Sequence, residues 1–514
     1  MCALLIALVV AASGPVEADL VIRNARIMDG TGGEAIMGDV AIRGDRIVGV
    51  GQFEVSGKPR EIDAAGLIVA PGFIDLHNHS DTPITQAATR LNRNFITQGV
   101  TTIVTGNCGS GRLDVRRYFE EIDEAGAGTN VAHLIPQGKL RASVIGEQKR
   151  PATDAEVEKM KQQVDQAMKA GAFGMSTGLI YVPSKYASTD ELIALAGVVG
   201  QHGGIYVSHM RGEGTTLLDS VEEILRIGRE SKLPVHISHF KASGEAAWGL
   251  AAEAVRMVQA ARADGQRVTA DQYPYIASST SLGAMVVPDE LRDRDELAAS
   301  LKDPERAEKT RRAIQREIDE RRGGGSLFVA RYAKQPAWQG KSIAAIAEQE
   351  QREPLEIVLE IQLNGGAQMV NFGMNEEEVR LIMREPFVAT ASDGGAKTPD
   401  DTVPHPRNYG TFPRRLGLYS VELGLTSLEQ AVRASSGLPA DILGLKDRGY
   451  LKPGLVADVV VFDPETLRDT ATFEKPHQYS TGVRYLLVNG QLAIDKGEVT
   501  GKLPGRAVRK PPGE

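Results

Sequence analysis

The chain has 514 residues, 42% of them hydrophobic and 25% charged, which suits a large globular protein with room for a second module. Its formal net charge of −8 and the lack of any Lys/Arg-rich block argue against a nucleic-acid partner. The only cysteines in the sequence are Cys2 and Cys108, which excludes a disulfide framework.

Residues 1–18 resemble a secretory signal. An apolar run at 3–12 is followed by Val16-Glu17-Ala18, a small-x-small cleavage pattern, although no Lys or Arg precedes the run. We predict a signal peptide and an exported protein, either periplasmic or secreted; the alternative is a buried or mistranslated N-terminal segment of a cytoplasmic protein. The run is shorter than the ~20 residues that cross a bilayer, so no stable membrane anchor is expected.

Both ends of the remaining chain have the pattern of short β-strands. Gly30-Thr31-Gly32-Gly33 is a glycine-rich turn, and Asn489-Gly490 is a strong hairpin signal. We predict one small β-sandwich domain built from both chain ends, 19–70 and 441–514. Its strand-like runs are 19–27, 39–43, 46–51, 454–462 and 483–489.

The middle of the chain alternates between short apolar runs and amphipathic helical segments. Buried strands that alternate with helices indicate βα units and a parallel sheet. Eight such units predict an α/β fold, a closed (β/α)8 TIM barrel over residues 71–440. The apolar runs are 72–76, 101–105, 131–136, 172–176, 205–208, 234–238, 267–270 and 387–391, and the clearest helical segments are 154–170, 189–202, 216–230 and 250–263.

The alternation breaks once, between the seventh and eighth apolar runs. Residues 291–322 are highly charged and helix-like, and three glycines, 323–325, separate them from a strand-like run at 326–331. We therefore predict an inserted subdomain at about 285–345, over the barrel mouth, where substrate lids are common.

Residue types that commonly bind metal ions follow the first two predicted strands. The first strand ends in His77-Asn78-His79, and residues two apart on a strand point to the same face, so both imidazoles can reach one ion. The second ends in Asn107-Cys108 between glycines, which favours a thiolate ligand in the barrel mouth. The alternatives are two histidines in a solvent-exposed loop and a cysteine that packs as a small hydrophobic residue.

The same Ser-His pair closes the fifth and sixth strands, at His209 and His239. Two histidines at equivalent positions indicate a shared ion. His236 lies three residues before His239, and we expect it to pack rather than bind metal. The remaining histidines that lack a comparable setting, His133, His202 and His477, are expected to be structural.

The eighth strand ends in Asp393 before two glycines. A carboxylate there can bind metal and accept a proton, although Asp before Gly also serves as a helix cap or in turns. Arg407 follows in the segment 405–414, and an arginine near this strand end can hold a substrate carboxylate with two hydrogen bonds. The alternative for Arg407 is a solvated surface charge.

These motifs resemble the amidohydrolase superfamily and, within it, the D-aminoacylase (N-acyl-D-amino-acid deacylase) family. The resemblance covers about residues 19–495. It rests on APGFIDLHNH, TTIVTGNCG, GMSTGLIYVPSKYAS, YVSHMRGEG, VHISHFKASG, DQYPYIASST, ATASDGG and HPRNYGTFPR, in this order.

The resemblance implies a role for each site residue. Cys108, His209 and His239 correspond to a tight Zn2+ site, with the thiolate where many relatives use a carboxylated lysine. His77, His79 and Asp393 correspond to a second, weaker site, and Asp393 to the general acid/base. The residues that correspond to the family's contacts with substrate carboxylate or carbonyl groups are Arg407, Lys241, Tyr273 and Ser279.

The chain departs from the family pattern in two places. His239-Phe240 stands where the family commonly has two histidines, and the loop from Asp393 to Arg407 is long and polar. Because His239 keeps its spacing to Lys241, we expect it to remain a ligand.

The resemblance implies a zinc-dependent hydrolase that cleaves N-acyl-D-amino acids into a carboxylate and a free D-amino acid. One alternative is a cyclic amidase (hydantoinase- or dihydroorotase-like) or a dipeptidase of the same superfamily, against which Cys108 and Arg407 argue. Another is an inactive secreted binding protein on this scaffold, against which the complete set of six ligand positions argues. The expected partner is a small molecule, and the sequence predicts no oligomeric state.

Overall fold

The computed structural model describes residues 14–511. The strands are β1 Val16–Glu17, β2 Leu20–Ile27, β3 Ile36–Arg43, β4 Arg46–Gly51, β5 Val55–Ser56, β6 Arg60–Asp63, β7 Ile68–Pro71, β8 Phe73–Asp75, β9 Val100–Thr105, β10 Asn130–His133, β11 Ile135–Pro136, β12 Gly174–Gly178, β13 Ile205–His209, β14 Val235–Ile237, β15 Val268–Gln272, β16 Ser278–Ser281, β17 Leu327–Arg331, β18 Gln368–Asn371, β19 Val388–Thr390, β20 Val459–Phe462, β21 Val483–Val488, β22 Gln491–Asp495 and β23 Glu498–Val499.

The α-helices have the following bounds. They are α1 Arg93–Ile96, α2 Val115–Ala125, α3 Gln137–Ile145, α4 Asp154–Lys169, α5 Thr189–Gln201, α6 Leu217–Ser231, α7 Leu250–Ala263, α8 Leu282–Val286, α9 Arg294–Lys302, α10 Pro304–Asp319, α11 Ile343–Glu350, α12 Pro354–Leu363, α13 Glu376–Met383, α14 Arg407–Pro413, α15 Leu428–Ser435 and α16 Gly437–Leu443. A π-helix over Arg414–Glu422 continues α14.

One mixed sheet joins both ends of the chain. Its strand order is β23-β22-β21-β20-β7-β2-β3-β4, and β6 pairs with β2. The antiparallel pair β20–β7 connects the C-terminal half to the N-terminal half. Asn489 and Gly490 have φ of 49° and 76° and form the two-residue turn between β21 and β22, as the sequence predicts.

The middle of the chain forms parallel strands in two hydrogen-bonded groups, β10-β9-β8 and β11-β12-β13-β14-β15-β19. Only Leu134 separates β10 from β11. Beyond the ends of β19 and β8, the Asp393 amide donates to His77 O (2.8 Å) and the His79 amide donates to Gly394 O (2.7 Å). Each of the eight predicted apolar runs overlaps an observed strand, which confirms the predicted alternation.

Hydrophobic side chains cover both faces of these parallel strands. In β13, Tyr206 packs in a core shared with helices α5 and α6, whereas the next residue, Val207, packs in a second core with Val104 and Ala389 from neighbouring strands. Because successive side chains of a strand alternate in direction, both faces are buried, which explains the continuous apolar runs in the sequence.

The segment between β15 and β19 forms a separate α/β unit. Strands β16, β18 and β17 make an antiparallel sheet, and helices α8 to α12 pack on it around a core that runs from Leu282 to Met369. The unit therefore extends beyond the predicted 285–345. Its first strand, Ser278–Ser281, is polar and only partly buried, so its sequence lacks the alternation that marks a strand.

The predicted signal peptide falls largely outside the described residues, since nothing before residue 14 is described. Val16–Glu17, which precede the predicted cleavage point, pair with Val55–Ser56. Within residues 14–511, no helix combines the length and apolar character that crossing a membrane requires.

Candidate active site

The candidate ligands lie at the carboxyl ends of the parallel strands. Because the ends of parallel strands meet at one edge, the structure brings all six side chains together. They are His77 and His79 after β8, Cys108 after β9, His209 at the end of β13, His239 after β14 and Asp393 after β19.

The buried Cys108 thiol lies among three imidazoles. Its Sγ is 3.3 Å from His77 Nε2 and 3.7 Å from His209 Nδ1. It is 3.9 Å from His239 Nε2, and this nitrogen lies 2.9 Å from His209 Nδ1. Four soft or borderline donor atoms therefore face one another in a small buried volume.

A second group of donors forms around Asp393. His79 Nε2 lies 3.1 Å from Asp393 Oδ1, and His77 Nε2 lies 3.5 Å from the same oxygen. His77 thus belongs to both groups, because its Nε2 faces the thiol and the carboxylate at once. Among the described residues, three overlapping groups of donors are close enough to hold a metal ion: His77, Cys108 and His239; His77, His79 and Asp393; and His209, Glu213 and His239.

Three of the candidate ligands occupy left-handed backbone. Cys108 has a φ of 52°, His239 a φ of 37° and Asp393 a φ of 49°. Each of these residues lies two or three positions after the end of a strand. Non-glycine residues rarely adopt such angles, and strain of this kind clusters at functional sites. Gly106 permits the turn before Cys108, since a Cβ there would stand 2.0 Å from Leu134 O.

Electrostatics favours the ionised forms of the thiol and the carboxylate. Burial raises the pKa of Cys108, but the charge of His77 and hydrogen bonds from the histidines outweigh burial, and the pKa falls well below its ordinary value. Burial likewise raises the pKa of Asp393, but Arg407 and His77 outweigh it and lower that pKa well below 3.8. Both groups are therefore anionic at neutral pH and suited to a cation.

The donor cluster opens into a cavity of about 970 Å³. All four residues predicted to contact substrate, Arg407, Lys241, Tyr273 and Ser279, line it. The Arg407 guanidinium lies 4.7 Å above the Tyr273 ring and donates from Nη2 to Ser279 O at 3.3 Å. Its Nη1 lies 2.8 Å from Asp393 Oδ2, but the alignment is too poor for a hydrogen bond.

The family model described as "Amidohydrolase family" matches residues 60–494. The chain belongs to the amidohydrolase family. It is 35% identical to a D-aminoacylase of Alcaligenes xylosoxydans xylosoxydans over 96% of this chain and 98% of that protein. An N-acyl-D-aspartate deacylase of the same organism is 34% identical over 96% of this chain and 95% of that protein. Within the family, the chain thus groups with the D-aminoacylases.

Solved structures agree with this grouping. An N-acyl-D-glutamate deacylase from Bordetella bronchiseptica, complexed with zinc and a phosphonate mimic of the tetrahedral intermediate, matches with a TM-score of 0.83 at 33% identity and covers 96% of this chain and 100% of that one. A D-aminoacylase studied for the role of its binuclear metal centre matches with a TM-score of 0.82 at 34% identity and covers the same shares. A D-hydantoinase at 15% identity, with a TM-score of 0.59 and 96% and 99% coverage, shares the fold.

The donor set of this amidohydrolase fits zinc. Tetrahedral Zn–S and Zn–N bonds of about 2.3 and 2.0–2.1 Å place the sulfur and nitrogen atoms about 3.6 Å apart. The thiol lies 3.7 and 3.9 Å from the nitrogens of His209 and His239, on the same scale. Thiolate sulfur and imidazole nitrogen are both donor types that zinc binds.

Sequence reasoning missed Glu213, which orients two site residues. Its Oε1 accepts from Lys241 Nζ at 2.6 Å and lies 2.8 Å from His239 Nδ1. This contact directs His239 Nε2 toward the thiol, as carboxylates do behind many metal-binding histidines. Lys241, predicted to touch substrate, lines the cavity but directs its ammonium to Glu213 and His239. In the sequence, Glu213 lies in the motif YVSHMRGEG, four residues after His209, and this position could have indicated its role.

Asp271 at the end of β15 was also missed. Its Oδ1 accepts from the His239 amide at 2.7 Å, and its Oδ2 lies 2.9 Å from His236 Nε2 and 3.4 Å from His77 Nδ1. Burial raises its pKa, but His77 and His236 outweigh burial, so the pKa is lowered. His236 therefore supports the site through Asp271. The polar residue at the carboxyl end of a parallel strand, in DQYP, could have indicated this role.

Tyr181 completes the cavity wall. Its ring lies edge-on to His209 at 5.1 Å, and its hydroxyl lies 3.0 Å from Thr280 Oγ1 in the inserted unit.

The histidines expected to be structural have ordinary partners: His202 contacts Asp165, and His477 contacts Tyr409. His133 contacts Thr105 and the Arg112 carbonyl.

Proposed function

We propose that this amidohydrolase is a zinc-dependent N-acyl-D-amino-acid deacylase, which hydrolyses its substrate to a carboxylate and a free D-amino acid. The observation that carries the proposal is the convergence of a thiol, three imidazoles and Asp393 beside Arg407 in one cavity. Close similarity over nearly the whole chain to a D-aminoacylase supports the same reaction.

We infer that the parallel strands form one closed (β/α)8 barrel over residues 71–440. Two observations support closure: Leu134 alone separates the two groups of strands, and amide hydrogen bonds link the ends of β19 and β8. The second core, which contains Ile74, Val104 and Val207, fits a barrel interior. The mixed sheet built from both chain ends then corresponds to the predicted small β-sandwich domain of 19–70 and 441–514. The inserted unit then covers the mouth of the barrel.

We propose one tight zinc site made by Cys108, His209 and His239, and a weaker one made by His77, His79 and Asp393. A thiolate binds zinc more strongly than a further imidazole does, which favours the first set. When bound, zinc supplies Lewis-acid catalysis: it polarises a carbonyl and lowers the pKa of water.

The residues of the chain bind the substrate and move the proton. Arg407 holds the substrate α-carboxylate, with Tyr273 beneath its guanidinium and the Ser279 carbonyl fixing its orientation. Asp393 accepts a proton from the attacking water as the carbon–oxygen bond forms. It then delivers the proton to the amide nitrogen as the carbon–nitrogen bond breaks.

Arg407 would also let the site select one enantiomer. With the α-carboxylate held at Arg407 and the acyl carbonyl at the donor cluster, two substituents of the α-carbon are fixed. The side chain of one enantiomer then points into the cavity, and that of the other points at its wall.

A panel of N-acetyl-D-methionine and N-acetyl-L-methionine, each with and without a chelator, tests the proposal. We expect hydrolysis of the D form alone and its loss with the chelator. Cleavage of hydantoins or dipeptides, but of no N-acyl-D-amino acid, would favour the cyclic amidase or dipeptidase alternative. No turnover of any compound by zinc-loaded protein would favour a binding protein.

We also propose that residues 1–18 direct export. Removal of this segment would also remove Val16–Glu17, which pair with Val55–Ser56 at the margin of the fold. N-terminal sequencing of protein recovered from the periplasm or the medium tests this: a mature chain that begins at Asp19 supports export with cleavage after Ala18.

A further inference from the structure

The turn that carries Cys108 follows β9 and consists largely of left-handed backbone. Gly106 has a φ of 80°, Cys108 a φ of 52° and Gly109 a φ of 67°. Left-handed backbone costs free energy at a residue with a side chain, so a free chain rarely adopts such a turn. Contacts from the rest of the molecule must therefore hold residues 106–109 in this conformation.

One buried hydroxyl, that of Ser176, bonds to the turn on both sides of Cys108. It donates to the Gly106 carbonyl and accepts from the Gly109 amide at 3.0 Å. A hydroxyl has one hydrogen to donate and two lone pairs that accept, so both bonds form at once. Ser176 thus joins the backbone before Cys108 to the backbone after it.

Ser176 is itself held within β12. This strand pairs with β11 and β13, and Ser176 lies opposite Pro136 in one pair and opposite Val207 in the other. The preceding residue, Met175, packs in the core shared with the helices. Because successive side chains of a strand alternate in direction, Ser176 points to the opposite face, where it is fully buried.

Further contacts hold the same turn against the strand ends. The Gly106 amide donates to Asp81 Oδ1 at 2.7 Å, so both polar backbone groups of Gly106 are bonded. The Cys108 carbonyl lies close to Gly178, at the end of β12, where a Cβ would stand 2.2 Å from the carbonyl oxygen. The turn therefore has little freedom to move relative to β12.

The held turn fixes the position of the thiol relative to two histidines. The Cys108 Sγ is 3.7 Å from His209 Nδ1 and 3.9 Å from His239 Nε2. Two donors on one tetrahedral zinc ion are about 3.6 Å apart, so the thiol already has nearly the spacing that the ion needs. A ligand that is ordered beforehand loses little conformational freedom when the ion binds.

We propose that Ser176 is a positioning residue for Cys108: its hydroxyl holds the turn 106–109 and thereby sets how tightly zinc binds at the Cys108 site. Without the hydroxyl, the turn would have to become ordered as the ion binds, and this cost would weaken binding. The inference rests on the zinc site of the proposed function and adds a residue that lies outside the cavity lining.

Ser176→Ala tests the proposal, because it removes both hydrogen bonds and adds no atom. Zinc affinity, measured by competition with a chelator of known affinity, should fall about 10–100-fold, the range for residues that orient metal ligands. Ser300→Ala is the matched control. Ser300 is also buried, and its hydroxyl lies 2.7 Å from Thr310 Oγ1 in the inserted unit, outside the cavity lining. The control should bind zinc as tightly as the parent protein.

Spectroscopy separates positioning of the thiolate from a general loss of stability. With Co2+ in place of zinc, the thiolate-to-cobalt charge-transfer absorption reports on the geometry at Cys108. This absorption should change in Ser176→Ala and stay unchanged in Ser300→Ala. A Ser176→Ala protein with a lower Tm but with the zinc affinity and cobalt spectrum of the parent protein would overturn the positioning role.

Hydrogen exchange of the metal-free parent protein tests the same turn without any substitution, so it also decides the matter if Ser176→Ala does not fold. The Gly109 amide should exchange at least about 100-fold more slowly than an unprotected amide, because exchange requires the turn to open. Exchange of this amide at the unprotected rate would overturn the proposal.

Failure of this inference is distinguishable from failure of the proposed function. Equal zinc affinities of Ser176→Ala and a parent protein that hydrolyses N-acetyl-D-methionine would overturn the role of Ser176 alone. A zinc-loaded parent protein that hydrolyses no N-acyl-D-amino acid would overturn the deacylase function, and the zinc affinities would still decide the role of Ser176.

Discussion

At the residue scale, the site depends on side chains whose backbone leaves the strand direction abruptly. Cys108, His239 and Asp393 all have positive φ, at a cost of about 1–3 kcal/mol each. The positive φ turns the backbone at each of the three residues and so directs a thiolate, an imidazole and a carboxylate toward one point. If the strands continued straight, these side chains would not converge. The surrounding hydrogen bonds, such as that from the His239 amide to Asp271, hold the strained conformation.

Asp393→Asn tests proton transfer. The amide keeps the shape of the side chain but does not accept a proton, so kcat for N-acetyl-D-methionine should fall about 10²–10⁴-fold. Zinc bound to Cys108, His209 and His239 should stay, because none of these residues changes. Steady-state kinetics and metal analysis of the same preparation measure both. Residual kcat within tenfold of the parent protein would remove Asp393 from this role.

Glu213→Gln tests orientation of His239. The amide is a weaker acceptor for His239 Nδ1, so zinc affinity should fall about 10–100-fold, as for other partners of metal-binding histidines. Competition with a chelator of known affinity measures this loss. Glu147→Gln, an exposed carboxylate at the same cavity, is the matched control and should leave affinity unchanged. Equal affinities in both variants would contradict the positioning role.

At the element scale, the positions of the parallel strands along the chain could be predicted, because parallel strands buried on both faces give unbroken apolar runs. The runs at 205–208 and 267–270 became β13 and β15 with shifts of one or two residues. The sequence predicted the strands of the inserted unit less accurately. Its strand β18 follows two helices and pairs with β16, about 90 residues earlier in the chain, and no local pattern reports such a partner.

A buried histidine joins β9 and β10 and should make stability depend on pH. His133 lies 2.8 Å from Thr105 Oγ1 and 2.8 Å from Arg112 O. Burial lowers its pKa to about 4. The unfolded chain therefore binds a proton below about pH 6.5, whereas the folded chain does not until about pH 4. Stability should consequently fall as pH drops through this window, by up to about 3 kcal/mol.

Urea unfolding at pH 7 and pH 5 measures this contribution. His133→Gln, which keeps a donor and an acceptor, should lose less stability than the parent protein between the two pH values. An identical decrease in both proteins would show that His133 does not contribute. His202→Gln, at a partly exposed histidine near Asp165, is the control and should follow the parent protein.

At the scale of the whole molecule, a cation in the tight site should tie three strand ends together. Its proposed ligands Cys108, His209 and His239 come from β9, β13 and β14, so zinc bound only by the folded state adds to global stability. At a free zinc concentration of about 100 times Kd, the gain is about 2.7 kcal/mol. Tm should therefore fall when zinc is removed with a chelator and recover when zinc is restored. Loss of activity with an unchanged Tm would indicate that zinc does not bridge the strands.

The sequence by itself determined the parallel strands, the helices between them, the shared terminal sheet and the residue types at each strand end, because these follow from local periodicity and spacing. Only the tertiary structure decided that Glu213 and Asp271 hold His239 and that Arg407 lies beside Asp393. These contacts join residues from different strands and loops. Their distances depend on how the strands and the inserted unit pack, which no local segment of sequence specifies.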